Sequence, residues 1–233
     1  MNKTLVVIFC FNVENHIPKI IKTIKSKRID RKKDFLFIDD CSKDKTNLIL
    51  KKNKINNAKI IKNKKNQGFG KNYKFSINYS LRKGYKNLIF LHGDNQYPPQ
   101  KIKIIEKKLD KSSLVYGSRK LNFSSMKKNM PLMRLIANLF LTYMINIFLK
   151  SNATEFFSGF RGIKVEKLKN LNLKKFSDKW IIEQQIHFEF IKKNLKISEI
   201  SIPTVYEDNQ KSEIPPIRYV FSVIYNVLKY SFR

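Results

Sequence analysis

Apolar positions along the chain fall into two repeating patterns. Thr4 to Phe11 is a continuous apolar, β-branched run, and Phe35 to Asp39 and Asn87 to Leu91 repeat it. Runs of this length without a polar face predict strands buried on both sides of a parallel sheet. Between them apolar residues recur at helical spacing: at Ile17 to Ile24, from a cap at Ser42 to Asp44 to about Asn53, and from Gln67-Gly68-Phe69-Gly70 to about Lys83. A short strand is expected near Lys59 to Lys62, a helix over Pro99 to Leu109 and a strand over Leu114 to Tyr116. Strand and helix alternate, and polar or acidic residues stand where strands end. That order predicts an open α/β sheet whose ligand lies in the crevice beyond the carboxyl ends of the strands.

The alternation stops at Pro131 to Lys150, a long apolar stretch in which Arg134, Asn138, Thr142 and Asn146 recur every four residues as one polar stripe. A stripe argues against full immersion in lipid, where an arginine near mid-span would cost several kcal/mol. The expectation is therefore an amphipathic helix, interfacial or tucked against the protein, with its arginine in water or on a phosphate; a true span is the alternative. Ile217 to Phe232 is a second apolar stretch, expected to pack as a closing helix or to touch a bilayer. With seven Gly and seven Pro in 233 residues, no linker and no repeat is visible. Residues 1–233 are taken as one domain, a nucleotide-binding part over about 1–120 and an acceptor- and membrane-facing part over about 121–233.

A formal net charge of +30 and a pI of about 10.1 require anionic partners. The cations are mostly lysines spread along the chain, and neither an arginine-rich stripe nor an aromatic stacking platform accompanies them, so nucleic acid is not the expected partner. The densest run, Lys19 to Lys33, suits an anionic membrane surface. Cys10 and Cys41 lack metal-ligand spacing and point to a reducing compartment, and the apolar run from Leu5 to Phe11 is too short for a signal peptide. Cytoplasmic residence at the inner face of the membrane is the expectation, with a membrane-protein partner or self-association as further ways of being held there.

Two strand ends carry candidate chemistry. Asp39 and Asp40 close the second strand, where carboxylates accept hydrogen bonds from a nucleobase N–H or a ribose hydroxyl. His92-Gly93-Asp94-Asn95-Gln96 closes the fourth. Asp94 and Gln96 there suit a hard divalent cation, Mg²⁺ or Mn²⁺, shared with diphosphate oxygens, and Gly93 would let the backbone approach the ligand.

Six motifs stand in order over most of the chain: Val7-Ile8 with Asn12; Phe37-Ile38-Asp39-Asp40-Cys41-Ser42 with Asp44 and Thr46; Asn66-Gln67-Gly68 with Gly70; His92 through Pro99; Gly117-Ser118-Arg119; and Ser158-Gly159-Phe160-Arg161. Together they resemble family 2 glycosyltransferases, and most closely the branch of polyprenyl- and dolichyl-phosphate hexose synthases. The resemblance implies the GT-A fold, a nucleotide-diphosphate sugar donor of UDP or GDP type, a divalent metal, and inversion at the sugar carbon. It gives Phe9, Phe11, Asn12, Glu14, Asp39, Asp40, Gly68, His92, Gly93 and Asp94 to the nucleotide sugar, and Asp94 with Gln96 to the metal. Phosphate or acceptor contacts fall to Arg119, Arg134, Arg161 and Lys211. Glu183, in Trp180-Ile181-Ile182-Glu183-Gln184-Gln185, is implied as the group that orients the acceptor or takes its proton, and it joins Asp94 and Arg119 as catalytic. The acceptor implied is a polyprenyl phosphate or another cell-envelope glycan precursor.

The sequence departs from the family pattern in three places. His92 takes the first position of the usual Asp-x-Asp, and binding to ribose or phosphate, or a hydrogen-bonding role without chemistry, stands beside metal ligation. The usual Pro-Ala-Tyr-Asn-Glu reads Phe9-Cys10-Phe11-Asn12-Val13, with an acid only at Glu14. Lys211-Ser212-Glu213 replaces a Ser-Lys or Ser-His. A catalytically silent membrane-associated relative and a basic nucleic-acid-binding protein are the rival readings. His16 and His187 have no partners at ligand spacing and are read as structural.

Overall fold

The computed structural model describes residues 3–53, 55–205 and 216–232. The fully apolar run becomes β1 (Thr4–Cys10), flanked by two parallel neighbours, β2 (Asp34–Asp39) and β4 (Asn87–His92), in register Cys10 to Asp39 and Phe9 to His92. With β3 (Ala58–Lys62), β5 (Leu114–Ser118), β6 (Arg161–Lys164) and β7 (Ile197–Ser201) these strands form one sheet in the order β3-β2-β1-β4-β6-β5-β7. All pairings are parallel except those of β6, which runs antiparallel to both β4 and β5.

Alternate residues of β1 feed two cores. Val6 and Ile8 pack under α1 (Ile17–Ser26), α2 (Thr46–Lys52) and α4 (Ile102–Leu109), while Leu5 and Val7 pack under α3 (Phe69–Arg82) and α7 (Ile182–Lys192). Both faces are covered, which is why no polar face was visible in the sequence. A third cluster, built on Leu141, Ile145, Phe156, Phe188, Val223 and Val227, joins α6 (Leu132–Leu149), α7 and α8 (Pro216–Ser231). A short α5 (Phe123–Asn129) precedes α6, and the expected helix over Pro99 to Leu109 opens with a 3-10 turn at Pro99–Lys101.

One expectation is narrowed and another overturned. The polar stripe of α6 faces inward: Asn138 and Thr142 are buried, and Asn146 bonds to Ala153 and Ser151. The outward face is apolar, with Leu132, Met133, Ile136, Phe140, Tyr143 and Ile147 all more than half exposed. Asn138 reaches the buried Glu155 carboxylate and Asn146 the Ala153 backbone, which turns this side away from water, and Arg134, half-buried in the first turn, stays near the surface.

The second change concerns Arg161, expected to hold a phosphate. It is 1% exposed, and its donors go to carbonyl oxygens: Nε to Ser158 at 2.8 Å, Nη1 to Glu183 at 2.9 Å and Nη2 to Phe156 at 2.5 Å. A guanidinium enclosed in this way has no face to offer a ligand, and it joins the 156–158 loop to the start of α7 instead. Replacing Arg161 with Met should leave three buried carbonyls unpaired, costing about 3 kcal/mol and lowering Tm by roughly 6–12 °C. A melting shift under about 2 °C would contradict that role.

Candidate functional site

The parallel register brings the carboxyl ends of β1, β2 and β4 to one edge, and β1 continues to β2 on one side and adjoins β4 on the other. This is the switch point at which open α/β sheets bind ligands. Asp39 is fully buried; its Oδ1 accepts from Ser42 N at 2.8 Å, and its Oδ2 has no hydrogen-bond partner. Asp40 is committed locally. Its Oδ1 accepts from Asn63 Nδ2 at 2.7 Å and Gln67 N at 2.8 Å, and its Oδ2 from Gly68 N at 2.9 Å. Gly68, at φ 82, starts α3 from this anchor, a backbone angle that a side chain would strain. The oxygen of the Asp39–Asp40 pair that lacks a hydrogen-bond partner is Asp39 Oδ2, and it is enclosed, at 0% exposure.

The first loop is braced against the second. Asn12 N donates to Ser42 Oγ at 3.0 Å and Asn12 Oδ1 accepts from Lys43 N at 2.9 Å, while Glu14 Oε2 accepts from Lys45 N at 2.8 Å. Glu14 N reaches Asp44 Oδ2 at 3.0 Å. Partial burial would push the Asp44 carboxyl up, but hydrogen bonds from Thr46 and the Glu14 N–H outweigh it and hold it below the usual range. Asn12 and Glu14 therefore shape the rim, whereas half-buried Phe11 lies just past the end of β1. Phe9 packs within a ring of aromatics, 5.1 Å from Phe69, 5.8 Å from Phe90 and 6.2 Å from His92 between centroids.

The acidic strand end turns sharply. A Cβ on Gly93 would stand 2.8 Å from Phe9 O and 3.2 Å from Cys10 Sγ, so the missing side chain makes room for the end of β1. Asn95, at φ 61, swings the chain back, and Gln96 N donates to Asp94 Oδ1 at 3.1 Å. Asp94 and Gln96 are both half-buried at the crevice. Their carboxylate and amide oxygens suit a hard cation that takes its remaining ligands from a diphosphate and water. Among the described residues no group of three or more His, Cys, Asp or Glu side chains is placed to hold a metal.

The second half of the chain closes the site from above. Glu183, 6% exposed in the first turn of α7, has an Oε1 without a hydrogen-bond partner, as has His92 Nε2. Both groups face Gly159: a Cβ there would meet His92 Nε2 at 2.5 Å and Glu183 Oε2 at 3.4 Å. Burial pushes the Glu183 carboxyl up, opposed by Arg161 and His92. Gly159 is fixed by its N–H, which donates to Tyr97 Oη at 2.9 Å, and the Tyr97 ring lies edge-on to His92 at 5.3 Å.

Arg119 is 7% exposed and held by Glu155, which receives its Nε at 2.7 Å, its Nη2, and its backbone N–H at 2.7 Å. Asn138 of α6 donates to the same carboxylate at 3.4 Å. Lys211 lies outside the described residues. His187 is structural, as expected: burial first, then Arg161, holds its imidazole well below the ordinary pKa and therefore neutral. Sequence reading did not single out Glu155, Tyr97, Phe69 or Gly159. Tyr97 and Gly159 lay inside recognised motifs, and Glu155 carried a signal of its own as the one acid between Asp110 and Glu166, in an apolar setting.

Comparison with known proteins agrees with this geometry. The model of glycosyl transferase family 2 matches residues 5–171. An uncharacterized protein of Methanocaldococcus jannaschii is 33% identical, with 98% of this chain and 99% of that protein covered. A UDP-N-acetylglucosamine–dolichyl-phosphate N-acetylglucosaminyltransferase of Methanococcus voltae is 25% identical, covering 95% and 93%. Glucosyl-3-phosphoglycerate synthase of Mycobacterium tuberculosis, solved with UDP, superposes with a TM-score of 0.73 at 16% identity over 99% of this chain and 80% of that one. The same enzyme with Mn²⁺, UDP and phosphoglyceric acid gives 0.73 at 14% identity, over 99% and 78%. The sheet and its flanking helices are those of the GT-A fold.

Gly159→Ala should displace His92 without burying a new polar group. Donor affinity measured by calorimetry should fall about tenfold or more, with Tm within about 3 °C of the parent. Unchanged affinity in the folded variant would remove His92 from the donor site.

Proposed function

The chain belongs to glycosyl transferase family 2, and from that premise we propose that it moves a hexose, with inversion, from a UDP- or GDP-type nucleotide sugar to a polyprenyl phosphate or another cell-envelope glycan precursor. The observation that carries this reading is the meeting of His92, at the end of β4 and two residues before Asp94, with the buried carboxyl of Glu183 across Gly159. A donor held at the strand ends and an acceptor admitted beside α7 would meet there. The Methanococcus voltae relative, named for a dolichyl-phosphate acceptor, supports the lipid-phosphate class. Residues of about 1–120 would hold the donor, and those of about 121–233 would face the acceptor and the inner surface of the cytoplasmic membrane.

Asp39 Oδ2 would accept from a base N–H or ribose hydroxyl once donor entry opens the enclosed strand end, and the Gln67-Gly68 turn that Asp40 fixes would form the wall beside it. Asp94 and Gln96 would hold Mg²⁺ or Mn²⁺, whose chemistry when bound is to offset the charge of the departing diphosphate. Complexes of the mycobacterial synthase with Mn²⁺ or Mg²⁺ and UDP support that assignment. Arg119 would add a planar fork to a phosphate. Its Nε and Nη2 are engaged by Glu155, which fixes the plane of the guanidinium that a phosphate would meet. Arg134, on the first turn of α6, is a second phosphate contact nearer the acceptor.

Glu183 positions the acceptor. A phosphate monoester is already ionised near neutral pH and needs no base, whereas a hydroxyl must lose its proton to a carboxylate that has itself ionised. Because burial raises the Glu183 pKa, its protonated form cannot accept that proton over a wider acidic range, and a hydroxyl-directed reaction would gain rate above the usual carboxylate region.

Asp94→Ala should abolish transfer from the nucleotide sugar that raises Tm most in a panel of UDP, GDP and dTDP sugars with and without Mn²⁺, while leaving the unliganded Tm unchanged. Retained transfer in that variant with metal chelated would defeat the proposal. Glu183→Gln should cost about tenfold or less with a lipid-phosphate acceptor, against roughly 10²–10⁴ with a hydroxyl acceptor, where the rise of rate with pH should also vanish.

A further inference from the structure

The outward faces of α6 and α8 share one character. On α6, Leu132, Met133, Ile136, Phe140, Tyr143 and Ile147 are 53–77% exposed and lie on the side opposite Leu135, Asn138, Leu141, Thr142, Ile145 and Leu149. On α8 and the residue that follows it, Phe221, Tyr225, Leu228 and Phe232 follow one another at i, i+4, i+7 and i+11, and are 68%, 64%, 39% and 84% exposed, opposite Val223, Val227 and Tyr230. The helices pack on each other and on α7 through one cluster, and both stripes point away from it. Leu121 and Phe123, at 48% and 47%, stand just before α6. Scattered apolar side chains need no explanation, but a face of this size on two adjoining helices marks an interaction surface.

Charge identifies the occupant. No acidic residue occurs between Asp110 and Glu155 or on α8, while Lys120, Lys127, Lys128, Arg134, Lys150 and Arg218 flank the apolar stripes. Such a rim attracts anionic headgroups. In a symmetric contact between two copies the same rims would meet each other and repel. A span is also disfavoured, although α6 has the length and a mean hydropathy of 1.7 over residues 132–149. Its inner side is tied to the protein through Asn146 to Ala153 and Asn138 to Glu155, and lipid could surround the helix only by breaking those ties.

We infer that α6 and α8 together form a hydrophobic docking surface that inserts into the headgroup and acyl boundary of an anionic bilayer. This deepens the membrane part of the proposed function and does not depend on the transfer chemistry. It also changes the character of the attachment: the apolar face anchors and the cations select the lipid, so salt weakens binding without abolishing it. The inner side of α6 reaches Glu155, the partner of Arg119, so the docked face lies one helix diameter from the site, within reach of a lipid-borne phosphate.

Co-sedimentation of the full chain with vesicles of phosphatidylglycerol and phosphatidylcholine tests this. Binding should persist in about 0.5 M NaCl, where screening shortens the reach of charges to roughly 4 Å. The double substitution Phe140→Ser with Tyr225→Ser should lower partitioning by about tenfold or more. Phe75→Ser, on exposed apolar surface of α3, should not. Both changed side chains of the double variant face solvent, and circular dichroism checks its fold. Complete release of the parent protein by salt would overturn the inference, as would equal binding by the double variant. A vesicle-free dimer that the double variant dissolves would assign the face to a second copy and equally refute it. Vesicle binding without nucleotide-sugar binding would sink the transferase reading alone; the converse would sink only this one.

Discussion

The Arg161 guanidinium is enclosed by protein, and its N–H donors must be satisfied where water cannot reach. Backbone carbonyls of Phe156, Ser158 and Glu183 meet that demand, and the Tyr116 ring lies 5.9 Å away. A charge desolvated to this degree tolerates little displacement, because each lost bond leaves both partners unpaired. The 156–158 loop and the first turn of α7 are thereby held at one separation. From that constraint follows the placement of Gly159 against His92 and of the Glu183 carboxyl behind it. The same charge moderates the raised pKa of Glu183 and adds to the burial that keeps His187 neutral. It is a positioning device with an electrostatic side effect.

The donor side is organised differently. There the rigid parts are loops zipped to one another by short polar side chains, Asn12 and Glu14 to the 42–46 segment and Asp40 to the turn before α3. Such bonds use directional geometry to fix backbone N–H groups that would otherwise need water. Their consequence is that several residues of the nucleotide motifs support the wall of the crevice, leaving Asp94 and the aromatic ring around Phe9 at its opening. The opposite wall instead rests on a buried ion pair, Arg119 with Glu155, reached from α6 by Asn138.

Much of this was legible beforehand. β1, β2 and β4 announced themselves as continuous apolar runs because strands covered on both faces need no polar alternation, and the turn residues after them carried the chemistry. β6 and β7 were not legible. β6 has four residues, begins with an arginine and contains Gly162, whose missing side chain admits Ile105 and Leu109 of α4; β7 is a half-buried edge strand, Ile-Ser-Glu-Ile-Ser, with too little apolar content to stand out. Both exist because their partners do.

The sequence by itself determined the α/β order, the switch-point crevice and the identity of the strand-end carboxylates, since these follow from local periodicity and from which residue types stop a strand. Only the tertiary structure decided which way things face. The four-residue stripe on α6 was visible in the chain, yet periodicity defines two sides without saying which one meets protein. Buried backbone and carboxylate groups at Ala153 and Glu155 drew the polar side inward and left the apolar side outside. Arg161 obeys the same rule: its charge is written in the sequence, but whether a charge meets ligand or carbonyls depends on what the fold packs around it.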